Sequence, residues 1–223
     1  MTKRKINYKI LIPIILLSII SIITINSALT YTSKSLGNLA IKQSIWYLIG
    51  WVLVIIIMKL KNEYLYRNSW YLYVIGNIFL LGLLIFAPPI NGSKCWFTIP
   101  GIGSIQPSEF MKIFLMLVLA TMIHKFRNEY NSPNWKNEAL FIIKTFIVVL
   151  IPSILTFLQP DTGSVVIYLV IYISMLAASG IRARWFIIGF IIFTILLGGF
   201  IGLYLFKENL FIKIFGSSLY YRI

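Results

Sequence analysis

The sequence has 223 residues, of which 59% are hydrophobic and 12% are charged, and its formal net charge at pH 7 is +14. Soluble domains carry charges at about a quarter of their positions, so this composition excludes a soluble globular protein and indicates an integral membrane protein. The basic residues are spread in short clusters between apolar runs, without the single basic face of a nucleic-acid-binding protein.

Apolar runs close to the length that crosses a bilayer as a helix, about 20 residues, recur along the whole chain. We predict membrane spans at residues 10–29, 44–58, 69–90, 110–123, 139–158, 162–181 and 185–206. The fifth span includes Lys144, whose basic side chain must reach the membrane interface. The sequence therefore predicts an all-α fold, a polytopic helix bundle with about seven transmembrane helices, which forms a single multi-pass membrane domain over residues 1–223.

The distribution of lysine and arginine predicts the orientation of the spans, because cytoplasmic connections are enriched in basic residues. With a cytoplasmic N-terminus, the inner segments hold thirteen of the 20 basic residues and the outer segments hold six. This topology places the C-terminus outside, together with the 91–109 connection and the turn at 159–164.

The 91–109 connection concentrates polar, charged, proline and glycine residues between two apolar runs. Its QPSE sequence opens the fourth helix at about Ser108, with Pro107 at a position where its missing N–H costs nothing. On that helix Glu109 and Lys112 are three residues apart and share one face. Charged residues at a membrane span often mark a functional path, and the alternative is a structural ion pair that fixes the helix.

The outer turn at 159–164 has the sequence QPDTGS. Asp161 can cap the N-terminus of the sixth helix, which is the simpler interpretation. The alternative is that the two outer turns, QPSE and QPD, line one cavity, because each places an acid after a Gln-Pro pair on the same side of the membrane. Chemistry there would be carboxylate acid–base catalysis or electrostatic handling of an anionic substrate.

These two motifs resemble those of the SEDS family of shape, elongation, division and sporulation proteins, the RodA and FtsW type. That family shows the patterns NG-x-x-RW…QPSE-x-x-K and QPD-x-G in this order, and the resemblance covers nearly the whole chain. Cys95 stands where the family usually has a basic residue before Trp96. The residues that fall on the patterns are Glu109, Lys112, Gln159, Pro160, Asp161 and Gly163.

The resemblance implies a peptidoglycan glycosyltransferase that polymerises lipid II, the undecaprenyl-pyrophosphate-linked disaccharide peptide, in the bacterial cytoplasmic membrane. It also implies a divalent metal cofactor (Mg or Mn) and a class B penicillin-binding protein as partner, in cell-wall synthesis for cell shape, cell division or sporulation. Nucleic acid is not an expected partner. Carried onto this sequence, it predicts a substrate cavity lined by Glu109, Lys112, Asp161, Gln159, Gln106, Ser108 and Trp96.

The family has about ten membrane helices, and the acid regarded as its catalytic base lies in a large outer loop after the seventh. The sequence stops at Ile223, where that loop is expected to begin. We therefore expect the chain to be truncated on its C-terminal side, without the family's base, and the resemblance assigns neither a catalytic residue nor a metal ligand here. Two alternatives stay open: a non-catalytic relative that binds the lipid-linked precursor or a penicillin-binding protein, and an inert truncation product.

Overall fold

The computed structural model describes residues 7–30, 39–89, 92–99, 103–130 and 134–206. In these residues the chain forms eight helices and one antiparallel β-hairpin, which lies between the fourth and fifth helices. The all-α fold class is confirmed, and the hairpin is the one addition to it within the described residues. The elements are α1 (Tyr8–Thr30), α2 (Leu39–Lys59), α3 (Asn62–Arg67), α4 (Ser69–Phe86), β1 (Phe97–Ile99), β2 (Gly103–Ile105), α5 (Pro107–Glu129), α6 (Trp135–Phe157), α7 (Thr162–Ala178) and α8 (Arg184–Phe206).

Six of the described helices are long and apolar enough to cross a membrane, namely α1, α2, α4, α6, α7 and α8. Helix α5 has 23 residues and carries charged side chains near both of its ends, which makes it less apolar than the others. The multi-pass membrane bundle is confirmed. The number of seven spans, and the sides of the membrane on which the termini lie, stay predictions.

Two predicted spans, 44–58 and 110–123, are shorter than the helices that contain them. Helix α2 has 21 residues and α5 has 23, because each continues through residues that an apolar criterion excludes, such as Lys42 and Lys125. A helix requires only its backbone hydrogen bonds to continue, and a long basic side chain can extend to the interface from within the last turns.

The chain divides into two compact units within α7. The first unit ends at Met175 and the second begins at Leu176. In the second unit, no part of the apolar stretch Arg184–Gly202 of α8 is buried. In the first unit, only 6% of the apolar stretch of α1 and none of that of α2 is buried. Apolar surfaces of this extent are rare on soluble proteins, so these three helices have surface suited to contact lipid or other membrane helices.

The buried core of the first unit lies where α4, α5 and α6 pack together. Helices α4 and α5 approach most tightly at Gly76, where an added Cβ would lie 2.6 Å from Met111 Sδ and 2.9 Å from Phe114 Cδ2. Small residues permit such close approach between membrane helices. Helices α5 and α6 are joined by the stacked rings of Phe126 and Phe141, whose centroids are 4.2 Å apart.

The β-hairpin bridges α2 and α4 on the side of the bundle that is predicted to be outer. Its strands pair antiparallel, with Phe97 opposite Ile105. The Phe97 ring lies 3.7 Å from the position of a Cβ on Gly82 of α4, and Gly103 lies against the Trp46 indole of α2. Gly103 has a φ of +139°, a conformation that other residues rarely adopt, so the hairpin requires glycine at this point.

The close approach at Gly76 predicts a specific sensitivity to added volume. Gly76→Val should lower the stability of the bundle by about 1–3 kcal/mol, because the new side chain overlaps the fully buried Met111. The matched control is Gly50→Val on α2, where nothing lies within 4 Å of an added Cβ. Thermal unfolding in detergent measures both, and equal shifts for the two variants would contradict the packing described here.

Candidate functional site

The two outer turns predicted to lie on one side of the membrane meet at the carboxylate of Asp161. From the QPSE turn, Gln106 Nε2 donates a hydrogen bond to Asp161 Oδ2 over 2.8 Å, and Ser108 Oγ donates to the same oxygen over 3.2 Å. From α7, the Ser164 hydroxyl donates to Oδ2 over 2.7 Å and the Ser164 backbone N–H donates to Oδ1 over 3.1 Å. We name Gln106, Ser108, Asp161 and Ser164 the Asp161 cluster.

Asp161 therefore does two things that the sequence offered as alternatives. It caps α7, because the N–H that it accepts belongs to the third residue of that helix. It also ties the start of α5 to the start of α7, which brings the QPSE and QPD turns together. Two of the four hydrogen bonds, those from Gln106 and Ser108, cross this junction, and hydrogen bonds to a carboxylate are stronger than those between neutral groups.

Further hydrogen bonds, from α7 and α6, hold the backbone of Ser108 in place. The hydroxyl of the fully buried Tyr168 on α7 donates to the Ser108 carbonyl oxygen over 3.1 Å. That hydroxyl in turn accepts a hydrogen bond from Thr156 Oγ1 of α6 over 3.5 Å. Helices α6 and α7 thus help to determine where the first turn of α5 lies.

Gln159 connects the QPD turn to α4 and to the chain that leads into β1. Its side chain is fully buried, and Nε2 donates to the Leu80 carbonyl oxygen over 2.8 Å. The backbone carbonyl oxygen of Gln159 accepts a hydrogen bond from the Cys95 thiol over 3.1 Å. The backbone carbonyl oxygen of Pro160 accepts one from Ser93 Oγ over 3.3 Å. The 91–109 connection and the 159–164 turn are therefore bonded to each other at two places besides the Asp161 cluster.

Glu109 and Lys112 form an ion pair in the first turn of α5, with Lys112 Nζ 2.6 Å from Glu109 Oε2. The Lys112 side chain is 18% exposed and the Glu109 side chain is 55% exposed. Because Glu109 directly follows Ser108, the pair begins beside the Asp161 cluster. The Lys112 ammonium group is thus bound to the exposed Glu109 carboxylate at the end of the bundle predicted to be outer.

The structure places most of the residues predicted for the substrate cavity near one another in separate sets of contacts, and it leaves the cavity itself a prediction. Three belong to the Asp161 cluster, Gln159 lies in the adjoining turn, and Glu109 and Lys112 continue from the cluster along α5. Trp96 is half-buried next to Cys95 and joins none of these hydrogen bonds within the part of the chain described here.

Two residues that take part in these hydrogen bonds, Ser164 and Tyr168, were not predicted from the sequence. Ser164 carries a signal that identifies it, because it stands three residues after Asp161, at the spacing of a helix cap. Tyr168 carries none, since a single tyrosine inside an apolar run gives no indication of its hydrogen-bond partner.

The described residues do not include a cluster of side chains suited to bind a metal ion. No three histidine, cysteine, aspartate or glutamate side chains lie close enough together there to hold one. Both oxygens of Asp161 already accept hydrogen bonds, and Glu109 is bound to Lys112. Glu109 is the acid of this region that has an exposed side chain to offer to a metal.

Residues 8–216 match the model of a protein family, FtsW/RodA/SpoVE, described as cell cycle proteins. The chain is similar to the probable peptidoglycan glycosyltransferase FtsW of Lactococcus lactis subsp. lactis, at 29% identity over 201 residues, which are 81% of this chain and 47% of that protein. It is also similar to the peptidoglycan glycosyltransferase MrdB of Helicobacter pylori strain J99, at 29% identity over 74% of this chain and 42% of that protein. The chain thus spans about half the length of these relatives.

Two solved structures share the fold. The chain aligns with a TM-score of 0.73 and 20% identity to a chain of a peptidoglycan synthase complex that coordinates polymerization and crosslinking, over 96% of this chain and 61% of that one. It aligns with a TM-score of 0.66 and 21% identity to the rod shape determining protein RodA of Thermus thermophilus, over 85% of this chain and 59% of that one. At these identities the likeness establishes the fold.

The Asp161 cluster predicts a large loss of stability when its acceptor is weakened. Asp161→Asn should destabilise the protein by about 2–3 kcal/mol, because an amide has no charge and turns an N–H toward groups that donate. The control is Glu63→Gln, which neutralises an exposed acid on α3. Thermal unfolding of both variants in detergent measures the effect, and an Asp161→Asn protein as stable as the control would contradict the role given to Asp161.

Cys95 predicts a second effect of the same carboxylate. Burial raises the pKa of the Cys95 thiol, and the negative charge of Asp161 raises it further. We therefore expect alkylation by N-ethylmaleimide at pH 8 to be slow and to accelerate only at higher pH, because the thiolate is the reactive form.

Two variants test this prediction. Asp161→Asn should lower the pKa of Cys95 and speed its alkylation at pH 8. The double variant Cys95→Ala/Ser104→Cys moves the chain's single cysteine to an exposed position on β2, where alkylation should be fast at pH 8. Equal rates for Cys95 and for the relocated thiol would show that Cys95 is not shielded.

Proposed function

The chain belongs to the FtsW, RodA and SpoVE family of cell cycle proteins, and from that membership we propose that it acts as a peptidoglycan glycosyltransferase on lipid II. It is a multi-pass protein of the bacterial cytoplasmic membrane. The relatives named peptidoglycan glycosyltransferases support the reaction class. The proposed pathway is cell-wall synthesis in cell shape or division, with sporulation suggested by the family name.

The observation that carries the proposal is the ion pair of Glu109 and Lys112 beside the Asp161 cluster. Lipid II carries its disaccharide on a pyrophosphate, so an enzyme that uses it needs a cation at the membrane surface where the sugar lies. Lys112 supplies that cation at the outer end of α5, and its partner Glu109 is exposed to the same side.

Glycosyl transfer joins an acceptor hydroxyl to the anomeric carbon of the donor sugar and breaks the bond from that carbon to the pyrophosphate. The hydroxyl must lose a proton, and the departing pyrophosphate gains negative charge. In this proposal Lys112 Nζ neutralises that charge, which is the electrostatic part of catalysis. When the pyrophosphate takes over Lys112, the Glu109 carboxylate is released and becomes available to accept the proton.

Asp161 has a positioning role in this scheme. Its oxygens accept four hydrogen bonds, so it is poorly placed to take a proton from a substrate. Asp161 holds the start of α5 in place, and that part of the helix carries Glu109 and Lys112. A displacement of about 1 Å in such a turn is enough to lower a catalytic rate by about a hundredfold.

A divalent metal, Mg or Mn, remains part of the proposal. Because the described residues supply no cluster of metal ligands, we derive no step through it. A metal of this kind is commonly held by one or two carboxylates together with substrate phosphates, and Glu109 is the carboxylate that fits such an arrangement.

A class B penicillin-binding protein is the proposed partner. A chain with the same fold occurs in a peptidoglycan synthase complex that coordinates polymerization and crosslinking, which supports a partner that carries out crosslinking.

One observation favours a second candidate function, binding of the lipid-linked precursor without polymerisation. Within the described part of this site, both acids are engaged, Asp161 by four hydrogen bonds and Glu109 by Lys112. If Glu109 does not release Lys112 when the pyrophosphate binds, the site holds an anion and lacks a base.

The test uses the intact protein, purified lipid II and its cognate penicillin-binding protein. Lys112→Gln and Glu109→Gln should each reduce glycan-chain formation by about a hundredfold or more, because each removes a group that acts at the reacting centre. The control is Lys94→Gln, which removes a lysine from the same outer connection but outside the ion pair.

The outcomes separate the two candidates. Loss of polymer in the two site variants, with the control fully active, supports the transferase. A wild-type protein that binds lipid II through Lys112 but forms no polymer supports the precursor-binding function. Full activity of both site variants would remove Glu109 and Lys112 from the site.

A further inference from the structure

A cavity of about 280 Å³ lies at the opposite end of the bundle, between α4, α5 and α6. Its polar wall is formed by Trp70, Lys125, Glu129, Tyr130, Asn137 and Lys144. Lys125 follows Glu109 by sixteen residues along α5, which separates this cavity from the outer site by about 24 Å at 1.5 Å per residue. It lies on the side predicted to be cytoplasmic.

The cavity brings together two lysines from different helices, Lys125 of α5 and Lys144 of α6. Neither forms an ion pair within the described ranges. The opposing charge in the lining is Glu129. Two lysines and one glutamate leave the lining with a net charge of +1, so the cavity lacks an anion.

The position of Lys144 within α6 favours binding of an anion. It is the tenth residue of α6 and lies among apolar residues that face lipid, including Ile143 and Ile147. A basic side chain at such a depth is costly unless it reaches the interface or binds a negative group. The cavity offers Lys144 a place where an anion from the membrane surface can meet it.

The remaining walls match the rest of a phospholipid. Trp70 and Tyr130 are of the type that binds at the headgroup level of a bilayer. Phe126 and Phe141 form an apolar floor, and the exposed Leu140 continues from the cavity along the lipid-facing surface of α6. A free anion would use only the lysines, whereas a phospholipid uses the lysines, the aromatic wall and the apolar surface together.

We propose that this cavity binds the headgroup phosphate of an anionic glycerophospholipid from the cytoplasmic leaflet, with Lys125 and Lys144 as its ligands. Basic pockets between membrane helices on this side of a bilayer are suited to anionic headgroups. The bound lipid joins α5 to α6 at the inner end, as the Asp161 cluster joins α5 to α7 at the outer end.

The experiment measures binding of phosphatidylglycerol and of phosphatidylcholine to the intact protein in detergent by native mass spectrometry. The wild-type protein should prefer phosphatidylglycerol. The double variant Lys125→Gln/Lys144→Gln should weaken that binding by about twenty-five-fold, which is roughly five-fold for each lysine removed. The matched control is Lys136→Gln, which removes a lysine of α6 that does not line the cavity, and it should bind as the wild type does.

Glu129→Gln provides a test that misfolding cannot imitate. It removes the negative charge that opposes the headgroup, so phosphatidylglycerol should bind several-fold more tightly. Equal binding by the double variant and the wild type would overturn the proposal, as would an equal loss in Lys136→Gln. Inorganic phosphate that competes as effectively as phosphatidylglycerol would show that a free anion, and not a lipid, is the ligand.

Discussion

The hydrogen bonds that the Asp161 carboxylate accepts are the interaction on which the end of the structure predicted to be outer depends. A charged oxygen within an apolar bundle is tolerated only where hydrogen-bond donors replace the water that it has lost. Here the donors come from the start of α5 and from the start of α7, so meeting the requirement of one carboxylate also fixes two helices relative to each other. Tyr168 and Gln159 extend that constraint to α6 and α4.

The ion pair of Glu109 and Lys112 has a different physical character. An ion pair with one side chain more than half exposed contributes only about 0–1 kcal/mol to stability. Of its two members the carboxylate is the accessible one, because Glu109 is 55% exposed and Lys112 only 18%. The Asp161 cluster and the ion pair therefore differ in how firmly each can hold the start of α5.

Helix α5 links the two ends of the molecule. Its first two turns carry the ion pair and also pack against Gly76 of α4 through Met111, and its last turns line the inner cavity with Lys125 and Glu129. The charges that make α5 the least apolar of the long described helices are thus divided between two polar sites. Between those sites one face of the helix is buried, at Leu115, Val118 and Leu119, while the apolar stretches of α1, α2 and α8 are almost wholly exposed.

The sequence by itself determined what depends on local spacing. Long apolar runs predicted the membrane helices, the three-residue spacing predicted the pairing of Glu109 with Lys112, and the QPD turn predicted the cap on α7. The tertiary structure alone decided which distant residues meet: Ser108 with Asp161, 53 residues apart, and Cys95 with Gln159, 64 residues apart. It also decided the hairpin and the inner cavity. The physical reason is that helical periodicity and hydropathy are properties of a single segment, whereas the choice of neighbouring helix depends on side-chain packing and on hydrogen bonds that form only after the helices are together.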